Sequence, residues 1–315
     1  MADGILAGES IPSATATAAI APLAHTLRTV ISSVQRTCRR LAGAEMQSME
    51  SSALTDRRYW DLIWRTAVAP TVDLSRDPQQ AFLDRCFAAH LGPGRRFLEV
   101  GAGGSPWPVQ VARAHHAEAW GIDFSRLGLA AVERSAREAG TSVRLVEADL
   151  FDEGALPLGA FDVVYSGGFV EHFTDAAPVM RRLAALVRPG GVVITGVPNL
   201  RGINGLVQRV VDRSCYRRHV LFSPQTLDEA HRLGRLRPLA TTRYLGVLDL
   251  GAINFGTLDR LPAAGKKLFW LALGMTRRTA HALGSAIGRS DGGRLFAPMV
   301  LGVYRADEEV GAQGE

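Results

Sequence analysis

The sequence is poor in lysine and in cysteine. Only Lys266 and Lys267 are lysines among 36 basic residues, and the arginines are scattered along the chain, so the net charge of +5 specifies no partner. The three cysteines, Cys38, Cys86 and Cys215, form no CxxC pair and have no metal-ligand spacing. We therefore predict no disulfide framework and no metal site, and reduced thiols in a cytoplasm.

The sequence also lacks a long apolar run and a signal peptide. No apolar stretch approaches the roughly 18 residues that span a bilayer. Asp3 and Glu9 stand where a signal peptide carries basic residues. With 315 residues, of which 21% are charged and 47% hydrophobic, the composition predicts a cytoplasmic globular protein with no transmembrane segment.

A glycine-rich turn follows the first strongly predicted strand. The segment RRFLEVGAGGS (95–105) has an apolar run that stops at Gly101, Gly103 and Gly104. Glycine permits positive φ and close approach of the backbone to a ligand, and a helix that begins just afterwards exposes unpaired N–H groups. The pattern predicts a ligand cradle at the end of a buried strand, although an ordinary strand-to-helix loop remains the alternative.

An acidic residue ends the next predicted strand. Asp123 lies 22 residues after Gly101, close to the spacing of about 20 at which an acid meets a ribose hydroxyl. The dinucleotide fingerprint requires glycine at its sixth position, and Pro106 stands there instead. The spacing therefore indicates a nucleoside ligand and disfavours a nicotinamide cofactor.

Strands and helices alternate through the middle of the chain, which predicts an α/β, Rossmann-like, doubly wound sheet with ligands at the carboxyl ends of its parallel strands. The predicted strands are 95–100, 118–122, 142–147, 161–166 and 190–197, followed by 238–250 and 297–305. The predicted helices are 107–116, 125–139 and 176–188.

Four motifs occur together in this core. Glu99-x-Gly101-x-Gly103, VRLVEADLF (143–151), FDVVYSGGFVEHF (161–173) and LVRPGGVVITGVPN (186–199) resemble, in the same order, the motifs of class I S-adenosylmethionine (SAM)-dependent methyltransferases. The resemblance is to the small-molecule type, including the ubiquinone-biosynthesis O-methyltransferase group. It covers about residues 95–199 and implies SAM as cofactor and a seven-stranded, mostly parallel sheet with an antiparallel last strand.

The resemblance also implies roles for individual residues. Glu99 would hold the methionyl ammonium, Asp123 the ribose and Asp149 the adenine amino group, although a capped carboxylate is the alternative for Glu99 and a turn cap for Asp149. The implied cofactor-binding set is Glu99, Gly101, Ala102, Gly103, Asp123, Phe124, Asp149, Leu150, Ser166 and Gly167.

A Glu-His pair follows the fourth predicted strand. Histidine titrates near neutral pH, and a carboxyl in an apolar pocket can be shifted towards it, so Glu171 or His172 can act as a base. The resemblance places a catalytic residue at about this point without choosing between them. His219 is a third candidate. The structural alternative is that Glu171 caps a helix and His172 packs against the cofactor or the sheet.

Candidate acceptor-binding residues lie on both sides of the core. Trp60 and Trp64 share one face of a helix in DRRYWDLIW (56–64), and Tyr216 and Arg217 lie in a basic loop. The alternative for the two tryptophans is packing in the core. The alternative for Arg217 is an exposed charge on the surface.

Five regions follow from these patterns: a disordered leader (1–21), an N-terminal helical cap (22–92), a SAM-binding core (93–250), a helical insertion (251–295) and a last strand with a tail (296–315). The amphipathic helix after residue 22 packs on the domain or on a second subunit in a homodimer, or serves as a lid or a membrane-surface helix. The insertion is interpreted as a cap over the pocket, with membrane or lipophilic-acceptor contact as its alternative.

The resemblance therefore predicts methyl transfer from SAM to a small-molecule acceptor, most simply at a hydroxyl oxygen and in secondary metabolism. Carbon or nitrogen methylation is the nearest alternative. A nucleic-acid methyltransferase is disfavoured, because YSGGF stands where such enzymes carry an Asn/Asp-Pro-Pro-aromatic motif, and no nucleic-acid partner is expected. A non-catalytic SAM-binding protein remains a third class.

Overall fold

The computed structural model describes residues 52–65, 70–249, 253 and 293–306, and these fall in one compact unit, Ser52–Glu315. The leader, the amphipathic helix after residue 22 and almost all of the insertion lie outside the described residues. The predictions of a homodimer, a lid and a membrane contact for those segments therefore remain predictions. Among the described helices, none is long and apolar enough to cross a membrane.

The described residues form strands and helices in alternation. The strands are β1 (Arg96–Val100), β2 (Glu118–Asp123), β3 (Arg144–Glu147), β4 (Phe161–Gly167), β5 (Val187–Pro198), β6 (Leu236–Pro238), β7 (Arg243–Leu245) and β8 (Met299–Ala306). The helices are α1 (Arg57–Trp64), α2 (Pro78–Ala88), α3 (Trp107–Ala114), α4 (Arg126–Glu138), α5 (Ala177–Leu186), α6 (Ile203–Val211), α7 (Arg213–Tyr216), α8 (Pro224–Leu233) and α9 (Gly293–Phe296).

One sheet carries all eight strands, in the order β3-β2-β1-β4-β5-β8-β6, with β7 also paired to β8. Strands β1 to β5 are parallel, and β8 runs antiparallel to β5. The chain moves outward from β1 to β3 and then returns to β4, so the strand order reverses between β1 and β4. A crevice at the carboxyl ends of strands opens at such a reversal. The predicted fold class is confirmed.

The region predicted as a single strand over 238–250 differs from expectation. Two short strands, β6 and β7, pair antiparallel with different parts of β8, so the sheet has eight strands rather than seven. Pro238 is the last residue of β6, and the N–H of Leu239 after it still donates to the carbonyl of Val303 on β8. The exposed turn that follows returns the chain to the same edge of β8.

Apolar side chains cover both faces of the sheet. Phe97 and Leu98, adjacent on β1, are fully buried in two different core clusters, since successive residues of a strand point to opposite faces. Six residues of β4 in a row, from 161 to 166, are buried, as expected for a central parallel strand. Each buried Leu or Phe contributes about 1.5–3 kcal/mol, so this packing holds the strand ends rigidly in place.

Side chains cap the starts of two helices. The Asp56 side chain accepts a hydrogen bond from Tyr59 N and begins α1, while Ser223 and Thr226 form a capping box at the start of α8. Helix α1 thereby presents Trp60 and Trp64 towards the crevice.

Candidate active site

A cavity of about 470 Å³ lies at the carboxyl ends of β1, β2 and β4. It brings together most of the residues singled out from the sequence. Those that line it are Trp60, Trp64, Glu99, Gly101, Gly103, Asp123, Phe124, Asp149, Leu150, Gly167, Glu171, His172 and His219. Four others do not line it: Ala102, Ser166, Tyr216 and Arg217.

The glycine turn forms the floor of the cavity. Gly101 and Gly104 have φ angles of 74° and 65°, a region that L-amino acids with side chains rarely adopt. The N–H groups of Gly101 and Ala102 both donate to the carbonyl of Ile122 at 3.0 Å, which attaches the turn to β2. The rings of Phe169 and Trp64 pack against Gly101 and Gly104, so this part of the floor is held rigidly.

Asp123 bridges the turn and the following helix. Its Oδ2 accepts a hydrogen bond of 2.8 Å from Gly103 N, and its Oδ1 accepts one of 2.7 Å from Ser125 N. A carboxylate has about four acceptor positions, so capacity for further donors such as ribose hydroxyls remains.

Glu99, at the end of β1, is buried with an exposed fraction of 2%. Burial raises the pKa of this carboxyl to about 8, opposed by the Ser105 hydroxyl and reinforced by the charge of Asp123. Its Oε2 has no hydrogen-bond partner among the described residues. A buried carboxylate oxygen without a partner fits a cationic ligand group such as an ammonium.

Asp149 and Leu150 lie at the other end of the cavity. The Asp149 carboxylate accepts a hydrogen bond of 3.0 Å from Phe151 N, so it caps its own turn while lining the cavity. Leu150 is buried beside it. Ser166 and Ala102 are fully buried just behind the cavity wall, and Ser166 Oγ has no hydrogen-bond partner among the described residues.

The Glu-His pair lies in a short 3₁₀ turn, Val170–His172, that two backbone contacts hold in place. Val220 N donates to the carbonyl of Glu171 at 2.6 Å, and Leu54 N donates to that of His172 at 2.7 Å. The turn is therefore clamped between the segment before α1 and the basic loop before α8, which brings His219 alongside.

The imidazole rings of His172 and His219 have centroids 4.6 Å apart. The contacts of their Nδ1 atoms indicate the same tautomer for both. His172 Nδ1 lies 2.8 Å from the carbonyl of Arg218, and His219 Nδ1 lies 2.8 Å from that of Cys215. A carbonyl can only accept, so each Nδ1 carries the proton and each Nε2 presents a lone pair.

Burial determines the protonation of Glu171, His172 and His219. It raises the pKa of Glu171 to about 8. Burial, together with the neighbouring His219, lowers the pKa of His172 to about 4, and burial also lowers that of His219. Both imidazoles are neutral at pH 7. Glu171 Oε2 has no partner among the described residues, and His172 Nε2 is 4.0 Å from Glu171 Oε1, too far for a hydrogen bond.

Aromatic side chains form the walls. Trp60 packs its ring against the edge of His172 with centroids 5.2 Å apart and stacks on Trp64 at 6.0 Å. Phe169 and Phe173, on either side of the Glu-His pair, contact each other at 5.1 Å. These two phenylalanines were missed from the sequence, although their positions flanking a polar pair gave a signal.

Three further lining residues were also missed. Tyr165 lies on β4 with its hydroxyl near Gly167, Gln79 comes from the start of α2, and Met299 comes from β8. Gln79 and Met299 are distant in sequence from every motif, so no local pattern indicated them. The sequence around Tyr165 predicts a core strand residue, and its ring does belong to the hydrophobic core.

The basic loop reaches the cavity through His219, as predicted, and not through Tyr216 or Arg217. The Arg218 guanidinium lies over the ring of Tyr59, 4.8 Å from its centroid, and thereby links the loop to α1. Tyr216 ends α7 and Arg217 follows it, away from the cavity wall.

Several known methyltransferases are similar to this chain. Residues 98–195 match the family model described as a methyltransferase domain. A ubiquinone biosynthesis O-methyltransferase from Ralstonia nicotianae is 40% identical over 100 residues, covering 32% of this chain and 42% of that protein. A ribosomal protein L11 methyltransferase from Thermus thermophilus is 29% identical over 144 residues, covering 42% and 55%.

The chain thus spans about half the length of these curated relatives. Among solved structures, a putative sarcosine dimethylglycine methyltransferase from Galdieria sulphuraria has a TM-score of 0.51 at 13% identity, covering 80% of this chain and 98% of that one. That likeness supports the fold.

Proposed function

We propose that this chain, whose residues 98–195 match a methyltransferase domain, is a class I SAM-dependent enzyme that transfers a methyl group from SAM to a hydroxyl oxygen of a small-molecule acceptor. The observation that carries the proposal is the arrangement of two buried carboxyl groups in one cavity. Glu99 and Glu171 both line it, and each has an oxygen without a partner among the described residues.

The cavity residues fit SAM. The unpartnered oxygen of Glu99 suits the methionyl ammonium, and the turn from Gly101 to Gly104, against which the rings of Phe169 and Trp64 pack, lines the cavity beside it. Asp123 retains acceptor capacity for the ribose hydroxyls, and Asp149 with Leu150 borders the space for the adenine. When bound, SAM supplies a methyl group activated by the positive sulfonium.

The chain's own contribution is to align the acceptor, exclude water and receive a proton. Trp60, Phe169 and Phe173 form apolar walls that suit a flat or apolar acceptor. Glu171, whose pKa burial raises to about 8, receives the proton of the acceptor hydroxyl in its ionised form, which predominates above that pH, and His172 and His219 line the same space.

Glu171→Gln tests the proposal, because glutamine keeps the size and burial of the side chain and cannot accept the proton. Methyl transfer from radiolabelled SAM is measured on a panel of phenols and aliphatic alcohols, with amines as the comparison for nitrogen methylation. We expect turnover at oxygen to fall at least 100-fold while SAM affinity, measured by calorimetry, is unchanged.

Glu138→Gln, an exposed change on α4, is the matched control and should leave turnover unaltered. Turnover of Glu171→Gln equal to wild type would remove Glu171 from the reaction. SAM binding without transfer to any acceptor class would favour a non-catalytic SAM-binding protein, and tighter binding of NAD than of SAM would contradict the cofactor assignment.

A further inference from the structure

Three potential ligand atoms converge on one wall of the cavity. Glu171, His172 and His219 each offer one atom, and these atoms all lie within 4.8 Å of one another. Neighbouring ligands at about 2.0–2.2 Å from a common ion lie roughly 3.0–3.5 Å apart, so the 4.0 Å between His172 Nε2 and Glu171 Oε1 is within about 1 Å of that separation. Small side-chain rotations would therefore bring all three atoms to coordination distance.

Both histidines are already oriented as metal ligands are. Metal-bound imidazoles commonly donate their other ring N–H to a carbonyl or a carboxylate, which fixes the tautomer and the ring orientation. His172 and His219 each donate Nδ1–H to a backbone carbonyl at 2.8 Å, those of Arg218 and Cys215. Each Nε2 lone pair is left available for a ligand.

The carboxyl group provides the independent observation. Glu171 is only 2% exposed, and its Oε2 has no hydrogen-bond partner among the described residues. A buried carboxylate oxygen without a partner is costly, and a bound cation would offset that cost. The backbone on both sides is clamped by Val220 N and Leu54 N, so the ligand positions are held firmly.

We infer that Glu171, His172 and His219 bind one divalent first-row transition-metal ion, with its remaining coordination positions open to the cavity. Two imidazoles and one carboxylate with open positions suit Fe²⁺, Mn²⁺, Co²⁺ or Zn²⁺, whereas Mg²⁺ prefers oxygen ligands alone. Two neutral imidazoles and one carboxylate leave a net charge of about +1, which would attract an anionic oxygen.

This ion deepens the proposed function and, in its role, rests on it. An acceptor oxygen bound to the ion would have a lowered hydroxyl pKa, so its proton would pass to solvent as the acceptor binds, and Glu171 would act as a ligand of the ion and not as the base. An acceptor with two neighbouring oxygens, such as a vicinal diol or a hydroxy acid, could occupy two open positions and would be preferred. Binding of the ion itself does not depend on methyl transfer.

The test uses the full chain, free of tags and stripped with a chelator. Co²⁺ is titrated and followed by its visible absorption, and Mn²⁺ is followed by the paramagnetic resonance of the free ion. We expect one ion per chain in the wild type and at least tenfold weaker binding in His219→Ala and in Glu171→Gln. His219→Phe, which keeps a ring against His172, replaces any alanine variant that melting curves show to be unfolded.

His116→Asn is the matched control, because His116 is exposed and asparagine tolerates its φ of 52°. It should retain one ion per chain. Absence of stoichiometric binding, or binding unchanged in the two ligand variants, would overturn the inference.

SAM titration of the same samples separates this inference from the proposed function. Metal binding lost in the ligand variants, in a chain that fails to bind SAM, would support the metal site and defeat the proposed function. Methyl transfer that persists in chelator, together with no metal binding, would retain the proposed function with Glu171 as the base and overturn the metal site.

Discussion

The carboxylate of Asp123 accepts a hydrogen bond of 2.8 Å from the backbone N–H of Gly103. This contact joins the end of β2 to the turn that follows β1, two features that the sequence separates by 20 residues. The acid that the spacing predicts to bind ribose therefore also shapes the cradle before any ligand arrives. The other oxygen of Asp123 accepts a hydrogen bond from the N–H of Ser125, the residue that precedes α4.

Asp123→Asn should weaken both folding and SAM binding. An amide retains only one acceptor oxygen, so one of the two backbone N–H groups loses its partner, at a cost of about 1–3 kcal/mol. We expect that loss in urea unfolding and at least a tenfold weaker SAM affinity in calorimetry. Asp73→Asn is the control, because Asp73 also accepts hydrogen bonds from two backbone N–H groups, those of Ser75 and Arg76, and does not line the cavity. SAM affinity equal to wild type in Asp123→Asn would contradict the assigned role.

SAM binding should release a proton from Glu99. Burial raises the pKa of Glu99 to about 8, so the carboxyl is mostly protonated at pH 7. A methionyl ammonium beside it would lower that pKa and expel the proton. Calorimetry in two buffers of different ionisation enthalpy should show about one proton released per SAM at pH 7. Glu99→Gln should release none and bind more weakly, and equal release by both proteins would exclude Glu99 as the ammonium partner.

The same group predicts a pH dependence of stability without ligand. The folded protein binds more protons at Glu99 than the unfolded chain between the ordinary pKa of 4.5 and about 8. Its stability should therefore fall as pH rises through that window. We expect the free energy of unfolding to decrease less from pH 5 to pH 9 in Glu99→Gln than in the wild type. Parallel curves for the two proteins would contradict the assignment.

Gly104→Ala should displace the indole ring of Trp64, which packs against Gly104. A methyl group at Gly104 would meet the indole of Trp64, whereas Gly140, with a φ of 63° close to the 65° of Gly104, has open space around it. Both changes carry the backbone cost of about 1–2 kcal/mol, and only Gly104→Ala adds the collision. We expect greater destabilisation and weaker SAM binding than in Gly140→Ala, measured by unfolding and calorimetry. Adding Trp64→Ala should remove most of the difference, and purely additive effects would show that the contact is unimportant.

Asp162→Asn should reduce stability and leave the site intact. Its carboxylate accepts hydrogen bonds from Arg95, Arg188 and Arg96 N at 2.6–2.8 Å, at the end of the sheet opposite the cavity. Because two guanidinium contacts weaken together, we expect a loss of about 1–3 kcal/mol in urea unfolding. The SAM dissociation constant should stay within twofold of wild type. A large change in affinity would mean that the sheet transmits the perturbation to the cavity.

Much of the core could be predicted from patterns of residues that are close together in the sequence. The strand ending at Val100, the turn at Gly101 and the acid at Asp123 each follow from residue type and short-range spacing, and so does the helix in 56–64. The structure confirms these elements because their conformations depend on neighbours within a few residues. The division of the predicted sixth strand into β6 and β7 was missed, since the edge of β8 decides where each part pairs.

The sequence alone determined the class of fold, the glycine cradle and the identity of the residues at the strand ends, because helix, strand and turn preferences act over short spans of chain. Only the tertiary structure decided which of these side chains meet. It placed His219 beside Glu171, Gln79 and Met299 in the same cavity wall, and the ring of Trp64 on the glycine turn. These contacts depend on sheet register and on how loops distant in sequence pack together, which no local pattern specifies.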